Sequence, residues 1–331
     1  MRNVRKPAAG LGCLLALAAA GCSGHGDTSA AAPTTAVPGT SYAPYVSAAA
    51  PAPTDSAGAA TTYNLAFVTA DGGACTPRWD GSRAVDDAAV RARIAALEED
   101  GGRVRVSFGG ASGTELGAAC GSVRDLAAAY GAALDAAGTS LADFDIEGDE
   151  LTDSASVDLR SRAIARLQEE RPGLEVSFTL PVMPSGLDEH ALALLGSADD
   201  HGVRVRTVNL MAMNYAPAYD GDMGGYALTA ARAAHAQLRK VFGTSQAAWR
   251  GMALTSMIGV NDVPGETFTL ADAAEVRAFA EARGLAWVSM WGAAPAPGGA
   301  PRPPPRGPGG PSHGGGQVTG AGGRGVAGGI T

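Results

Sequence analysis

Three carboxylates stand at every second position of one apolar stretch, as Asp143, Asp145 and Glu147 in LADFDIEGDE, residues 141–150. In a β-strand these side chains share one face, whereas in a helix they would spread around the axis. Neighbouring acids on that face lie about 7 Å apart, so each disfavours ionisation of the next. We therefore expect at least one of them to keep its proton above its ordinary pKa, as a proton donor must.

The same acids are compatible with two other roles, a structural carboxylate cluster or a metal site. Oxygen ligands without histidine suit Ca²⁺ or Mg²⁺ rather than a transition metal. The five histidines are scattered along the chain and suggest no set of ligands; they are His25, His190, His201, His235 and His313.

Eight short apolar runs alternate with helical patterns between Tyr42 and Trp291. The runs cover residues 42–46, 63–69, 104–108, 141–147, 174–182, 205–215, 251–259 and 285–291. Helical stretches between them carry capping signals, such as Thr269 with Asp272 and a closing Gly284. This alternation predicts an α/β fold, a (β/α)₈ TIM barrel, in which catalytic residues lie where strands end. Glu147 ends the fourth run.

The alternative architecture is an open doubly wound sheet, but no glycine-rich phosphate loop follows the first strand. Prolines interrupt the stretch between Val46 and Tyr63, so we expect the first barrel helix to be missing or irregular. Residues 292–331 are rich in Gly and Pro and contain almost no apolar residue able to pack. We expect a disordered tail there, and a barrel that is incompletely sealed at its C-terminal end.

The N-terminus has the pattern of an export signal over residues 1–22, with basic residues, a short apolar run and small residues before Cys22. The apolar run is shorter than the roughly 20 residues that span a membrane. AAGC also resembles a lipoprotein processing site, which would place a lipid on Cys22, although plain cleavage nearby fits as well. Residues 23–40 form an Ala/Pro/Thr/Ser-rich linker. We expect a secreted protein, or one anchored by lipid at the cell surface.

Export leaves Cys75 and Cys120 as an even pair in an oxidising compartment, which predicts a disulfide between them. Two separately buried thiols are the alternative. The formal net charge of −8, without basic clusters, argues against nucleic acid or an anionic membrane surface as a partner.

The acidic run and three further motifs resemble glycoside hydrolase family 18, the chitinase family. The run matches the D-x-x-D-x-D-x-E pattern of the family's fourth strand, with Ser140 in place of the first Asp. SFGG (107–110) matches its third-strand motif, MAMNY (211–215) its sixth strand and SMW (289–291) its eighth. The resemblance is to the bacterial chitinase branch and covers about residues 41–291. These motifs account for the acids, so we predict neither a metal nor a cofactor.

The resemblance implies cleavage of β-1,4 bonds between N-acetylglucosamine units with retention, in which the substrate's own acetamido group replaces an enzyme nucleophile. Glu147 would protonate the leaving oxygen. Asp145 would raise the pKa of Glu147 and bind the acetamide N–H, and Asp143 would hold a proton or charge behind Asp145. Tyr215 would donate its hydroxyl to the acetamido oxygen.

The predicted substrate-binding residues are Met213, Asn214, Trp291, Ser107 and Gly110. Met213 and Asn214 would line the acetamido pocket, and Trp291 would form the floor under the sugar, unless it is a core residue. Gly109 and Gly110 also fit a purely structural role that permits close backbone approach.

Two other functions share these motifs: a chitin-binding barrel without turnover, and an endo-β-N-acetylglucosaminidase acting on N-glycans. The presence of Glu147 favours catalysis, because binding members of the family usually lose this acid. Chitin or N-acetylglucosamine oligosaccharides are the expected partners, and a monomer is expected.

Overall fold

The computed structural model describes residues 39–51, 60–99 and 101–292. The predicted signal peptide with Cys22, almost all of the linker and the tail from residue 293 lie outside the described residues. So does the Pro-containing segment 52–59, where we expected an irregular first helix. The described residues that flank this segment, 48–51 and 60–61, form bends and coil rather than helix.

The described part of the chain begins with strands and then alternates between helices and strands. The strands are β1 (Ser41–Tyr42), β2 (Tyr45–Ser47), β3 (Thr62–Asp71), β4 (Ala74–Trp79), β5 (Arg83–Ala84), β6 (Arg103–Gly109), β7 (Leu141–Asp145), β8 (Glu175–Pro181), β9 (Val205–Met211), β10 (Met252–Met257), β11 (Gly259–Val260), β12 (Thr267–Phe268) and β13 (Trp287–Trp291). The helices are α1 (Ala88–Glu99), α2 (Leu116–Ala119), α3 (Val123–Ala137), α4 (Asp149–Thr152), α5 (Ser154–Glu170), α6 (Glu189–Asp200), α7 (Met223–Phe242), α8 (Ser245–Arg250) and α9 (Leu270–Arg283).

Eight parallel barrel strands form one ring, and each overlaps one of the predicted apolar runs. Their order is β3, β6, β7, β8, β9, β10 and β13, and the first barrel strand is the interrupted pair β1 and β2. β1 pairs with β13 and β2 pairs with β3, so the segment 41–47 joins the two edges. The peptide N–H of Ala43 donates to Val288 O at 3.0 Å, and that of Asn64 to Pro44 O at 2.9 Å. The prediction of a TIM barrel is confirmed.

Helices α1, α3, α5, α6, α7 and α9 connect successive barrel strands from the second to the eighth. The predicted caps are present. Thr269 and Asp272 form a reciprocal capping box at the start of α9, and Gly284 ends the helix in the left-handed conformation with φ 70°. These local signals fix where α9 begins and ends, because the cap side chains satisfy N–H groups that have no partner within the helix.

No helix follows β13 in the part of the chain that the structure describes. Among the described residues, the outer faces of β1 and β13 border a groove, which Tyr42, Val288 and Met290 line together with α9. The predicted incomplete sealing at the C-terminal end depends on residues 293–331, which lie outside the described residues, and it stays a prediction. None of the described helices is both long and apolar enough to cross a membrane.

The predicted disulfide between Cys75 and Cys120 is present and spans 45 residues of sequence. It ties β4, which forms a hairpin with β3, to the C-terminal end of α2. In the chain-entropy description, closing a loop of this length restricts the unfolded chain and contributes about 4 kcal/mol to stability.

Candidate active site

The three acids lie on β7 and on the loop that follows it. Asp143 and Asp145 point into the barrel and are 1% and 5% exposed. Glu147 lies two residues beyond the end of β7 and is half-buried. The alternating neighbours Phe144 and Ile146 are fully buried in the hydrophobic core. The alternation of the sequence therefore places the carboxylates on the face that leads to the mouth of the barrel.

Four hydroxyl groups donate to the carboxylate of Asp143. Tyr45 and Ser107 donate to Oδ2 at 2.9 and 2.8 Å, and Ser177 and Thr179 donate to Oδ1 at 2.9 and 2.8 Å. Such a shell compensates for the water that an ionised carboxylate loses on burial. Asp143 is therefore held rigidly as an acceptor beneath Asp145.

Asn209 extends this network across the barrel. Its Nδ2 donates to Thr179 Oγ1 at 3.0 Å and to the Tyr45 hydroxyl at 3.2 Å, and its Oδ1 accepts from Thr255 Oγ1 at 2.9 Å. The centre of the barrel is thus a connected set of polar side chains from several strands. A fully connected network of this kind fixes the positions of its members.

Asp145 and Glu147 differ from Asp143 in having few partners. Burial raises the pKa of Asp145 well above its usual value, and the charges of Glu147 and Asp143 raise it further. Burial also raises the pKa of Glu147, so loss of water, rather than the charge of Asp145 that we expected, is the main cause. Asp145 Oδ1 is buried without a hydrogen-bond partner. The two acids together keep a proton to higher pH than ordinary carboxyls do.

We expect Asp145→Asn to stabilise the protein at neutral pH. The pKa of Asp145 is raised in the folded state. Its contribution to the stability of the fold is therefore fully present below the ordinary carboxyl pKa of about 4, and it is lost as the pH rises through the folded-state pKa. Asn does not titrate and escapes this loss. The Tm at pH 7 should rise by about 2–4 °C, as about 1 kcal/mol produces in a domain of this size, with almost no change at pH 4.

The matched control is Asp86→Asn, which alters an exposed carboxyl and should leave the Tm unchanged at both pH values. Calorimetry of the three proteins measures the effect. An equal shift for Asp145→Asn at pH 4 and pH 7 would contradict the argument.

A cavity of about 350 Å³ opens above Asp145 and Glu147 at the carboxyl ends of the barrel strands. One side is aromatic: the Trp291 ring lies 5.6 Å from that of Phe67 and 6.0 Å from that of Tyr45, measured between centroids. The other side holds Met183, Met211, Met213, Asn214, Asp188 and Asp262. Three of the predicted binding residues, Met213, Asn214 and Trp291, thus line the cavity. A pyranose ring has apolar C–H faces and polar edges, which suits such a lining.

Ser107 and Gly110, in contrast, are not among the described residues that line the cavity, and their contact with substrate stays a prediction. Ser107 is fully buried below Asp143, to which it donates. The Gly110 amide donates to Asp145 O at 3.0 Å, and a side chain at this position would meet the ring of Phe67. Gly109 has φ 96°, and a Cβ there would lie 2.2 Å from Asp145 O. The two glycines permit close approach of the β6 and β7 backbones, as their structural alternative predicts.

Tyr215 is not among the described residues that line the cavity, and its role as a donor to the substrate stays a prediction. Its hydroxyl is buried without a partner, and its ring packs 5.9 Å from Tyr219 and 6.2 Å from Tyr226. Burial, followed by the charge of Glu266, raises the pKa of Tyr215. Met213 and Tyr215 lie beyond the end of β9 at Met211, and the backbone of Asn214 between them is left-handed, with φ 53°.

The site also includes four residues that were not predicted from the sequence, namely Tyr45, Phe67, Thr179 and Asn209. A signal for two of them was present, since polar residues at inward positions of buried strands interrupt otherwise apolar runs in VSFTLP and VNLM. Tyr45 and Phe67 carry no such signal, because aromatic residues are ordinary members of strands.

Comparisons with known proteins agree with this geometry. A region of 270 residues is 35% identical to a probable bifunctional chitinase/lysozyme of Escherichia coli strain K12, covering 76% of this chain and 30% of that protein. A region of 213 residues is 33% identical to Endochitinase 11 of Metarhizium anisopliae, covering 60% of this chain and 41% of that protein. The chain thus spans less than half the length of either relative. No protein-family model matches it.

Among solved structures, the catalytic domain of a hyperthermophilic chitinase from Pyrococcus furiosus superimposes with a TM-score of 0.67 at 28% identity, covering 77% of this chain and 84% of that one. The fold and site define a TIM-barrel protein with an acidic site at the carboxyl ends of its strands. The chain belongs to glycoside hydrolase family 18. The family resemblance seen in the four motifs is confirmed.

Proposed function

We propose that this protein hydrolyses chitin, cleaving β-1,4 bonds between N-acetylglucosamine units with retention of configuration. The observation that carries the proposal is the placement of Glu147 and Asp145, two acids of raised pKa, at the base of a cavity with an aromatic side. The relatives named chitinase support it, as does the Pyrococcus furiosus chitinase, of which active-domain mutants were solved complexed with chito-oligosaccharides.

In the proposed reaction, Glu147 donates its proton to the glycosidic oxygen while the bond from this oxygen to the anomeric carbon breaks. The acetamido carbonyl oxygen of the same sugar forms a bond to that carbon and gives a cyclic intermediate. Water then attacks the anomeric carbon, Glu147 takes a proton from the water, and the acetamide is restored. Glu147 thus serves first as acid and then as base, so a pKa near the working pH suits both steps.

The other residues would position the sugar. The unpartnered Oδ1 of Asp145 is placed to accept the acetamide N–H, and this contact would orient the carbonyl oxygen for attack. Trp291 would support the apolar face of the sugar, with Met213 and Asn214 beside the acetamido group. Asp143 would act through Asp145, whose pKa its charge raises, while the hydroxyl network holds Asp143 itself in place.

The proposal also includes export of the protein through its N-terminal residues. Residues 1–22 would direct export, with Cys22 as a candidate for lipidation, and residues 23–40 would separate the barrel (41–291) from the membrane or cell surface. The protein would act outside the cell as a monomer.

Incubation of the purified protein with colloidal chitin and with N-acetylglucosamine oligomers tests the reaction. Soluble oligosaccharides should appear, and NMR of fresh product should show the β anomer. Binding to chitin without release would instead favour a non-catalytic binding protein. Release only from N-glycoproteins would favour an endo-β-N-acetylglucosaminidase.

The position of Tyr215 yields a second test within this reaction. Tyr215→Phe should change kcat on N-acetylglucosamine oligomers by no more than about 2-fold, because Tyr215 is not among the described residues that line the cavity and its hydroxyl is buried. Loss of a hydrogen-bond donor to the reacting oxygen would instead lower kcat by about 10²-fold. Tyr219→Phe, in the same aromatic cluster, is the matched control. A loss of kcat near 10²-fold for Tyr215→Phe alone would support the role as a donor to the acetamido oxygen that the family resemblance implies.

A further inference from the structure

A group of charged and polar side chains, most of them buried, lies beside the loop that carries Glu147. We call it the Arg160 cluster, and its members are Glu115, Tyr130, Glu150, Ser156 and Arg160. The side chains of Arg160 and Glu115 are 1% and 3% exposed. None of these described residues lines the cavity.

Glu115 is the centre of the cluster on the β6 side. Its Oε2 accepts from Arg160 Nη2 at 2.7 Å, from Arg160 Nε at 3.2 Å and from the Gly117 amide at 2.6 Å. Its Oε1 accepts from the Tyr130 hydroxyl at 2.8 Å. Burial alone would lower the pKa of Arg160, but the charge of Glu115 outweighs this and keeps the guanidinium ionised. The loop after β6 is thereby fixed to α3 and α5.

Glu150 connects the same arginine to the catalytic loop. Its Oε2 accepts from Arg160 Nη2 at 3.3 Å and from Ser156 Oγ at 2.8 Å. Glu150 is the second residue of α4, a helix of one turn that begins two residues after Glu147. Gly148, with φ 60°, forms the sharp turn between them. The direction in which the chain leaves β7 is therefore set partly by what holds α4.

Stability alone gives little reason for this arrangement. The desolvation of a buried ion pair roughly offsets its attraction, and well-packed apolar residues of similar size are often as stable or more so. Arg160 Nη1 is moreover buried without a partner, which costs free energy. The ions instead fix the relative positions of their elements, since the planar guanidinium donates hydrogen bonds only in a fixed geometry.

We propose that Arg160 and Glu150 are positioning residues for Glu147: by fixing α4, the Arg160 cluster keeps the Glu147 carboxyl half-buried at the base of the cavity. The kinetic part of this inference rests on the proposed function, whereas its structural part does not.

The test uses Glu150→Ala, because the Glu150 side chain is 26% exposed and its loss should not prevent folding. We expect kcat on N-acetylglucosamine oligomers to fall about 10-fold with KM changed less than about 2-fold, as a misplaced acid produces. The alkaline limb of the kcat/KM profile should move to lower pH, because Glu147 gains water. Glu150→Gln keeps an acceptor oxygen and should recover most of kcat.

The matched control is Asp135→Ala, which breaks the exposed Asp135–Arg171 pair between α3 and α5 and should change neither kcat nor the pH profile. A readout without turnover is ¹³C NMR titration of the Glu147 carboxyl, whose pKa should fall toward its ordinary value in Glu150→Ala. If wild-type protein cleaves no chitin but this pKa falls, the proposed function fails and the positioning role stands. A folded Glu150→Ala protein with unchanged titration overturns the inference, whatever its activity.

Discussion

Glu147→Gln should lower kcat on N-acetylglucosamine oligomers by about 10²–10⁴-fold, the range that general acid catalysis contributes. Gln has almost the shape of a protonated Glu, so the cavity and its affinity for sugar should persist. It cannot give up a proton to the leaving oxygen, nor accept one from water in the second step. Initial rates of product release measure kcat, and calorimetric titration with an oligomer measures the dissociation constant, which should change less than about 3-fold.

Glu189→Gln is the matched control, because Glu189 is an exposed acid on α6 adjacent in sequence to the cavity residue Asp188. Its kinetics should equal those of the wild type. If Glu147→Gln retains more than about a tenth of the wild-type kcat, another group supplies the proton and the proposed mechanism is wrong. Loss of binding together with kcat would point to a structural rather than a chemical role for Glu147.

The barrel could be predicted from the sequence because its signals are local. Each barrel strand is a short apolar run, and each connection carries turn and capping residues, as at Thr269 and Gly284. The place of Glu147 at a strand end followed from the same counting. The division of the first barrel strand into β1 and β2, which are only two and three residues long, did not follow from it. Their pairing depends on strands distant in sequence, which periodicity does not report.

The site was predictable only where side chains follow the strand alternation. Asp143 and Asp145 lie where a regular strand places them. Met213 and Tyr215 lie beyond the end of β9 at Met211, and Asn214 between them adopts a left-handed backbone that apolar periodicity cannot reveal. The pKa of Glu147 shows a similar limit: sequence spacing showed a neighbouring charge, whereas the depth of burial that dominates the shift is a property of the whole fold.

Removing Asp143 should have two effects on the stability of the protein, and these effects have opposite sign. Its charge raises the pKa of Asp145, so its loss should relieve some repulsion, although this is the smallest of the three causes at Asp145. Against this stand four hydroxyl donors that would lose a charged acceptor. Hydrogen bonds to charged groups contribute about 1.5–3 kcal/mol each, and a buried donor left without a partner costs about 1–3 kcal/mol. The hydrogen-bond effect should therefore dominate.

We expect Asp143→Ala to lower the free energy of unfolding by about 3–5 kcal/mol, the range seen when one partner of a buried charged network is removed. Urea denaturation followed by Trp fluorescence measures this loss. Thr255→Val is the matched control at the edge of the same network, where one hydrogen bond to Asn209 is lost and about 1 kcal/mol is expected. A loss for Asp143→Ala no larger than that for Thr255→Val would mean that the hydroxyls find other partners. The network would then not hold Asp143 in place beneath Asp145.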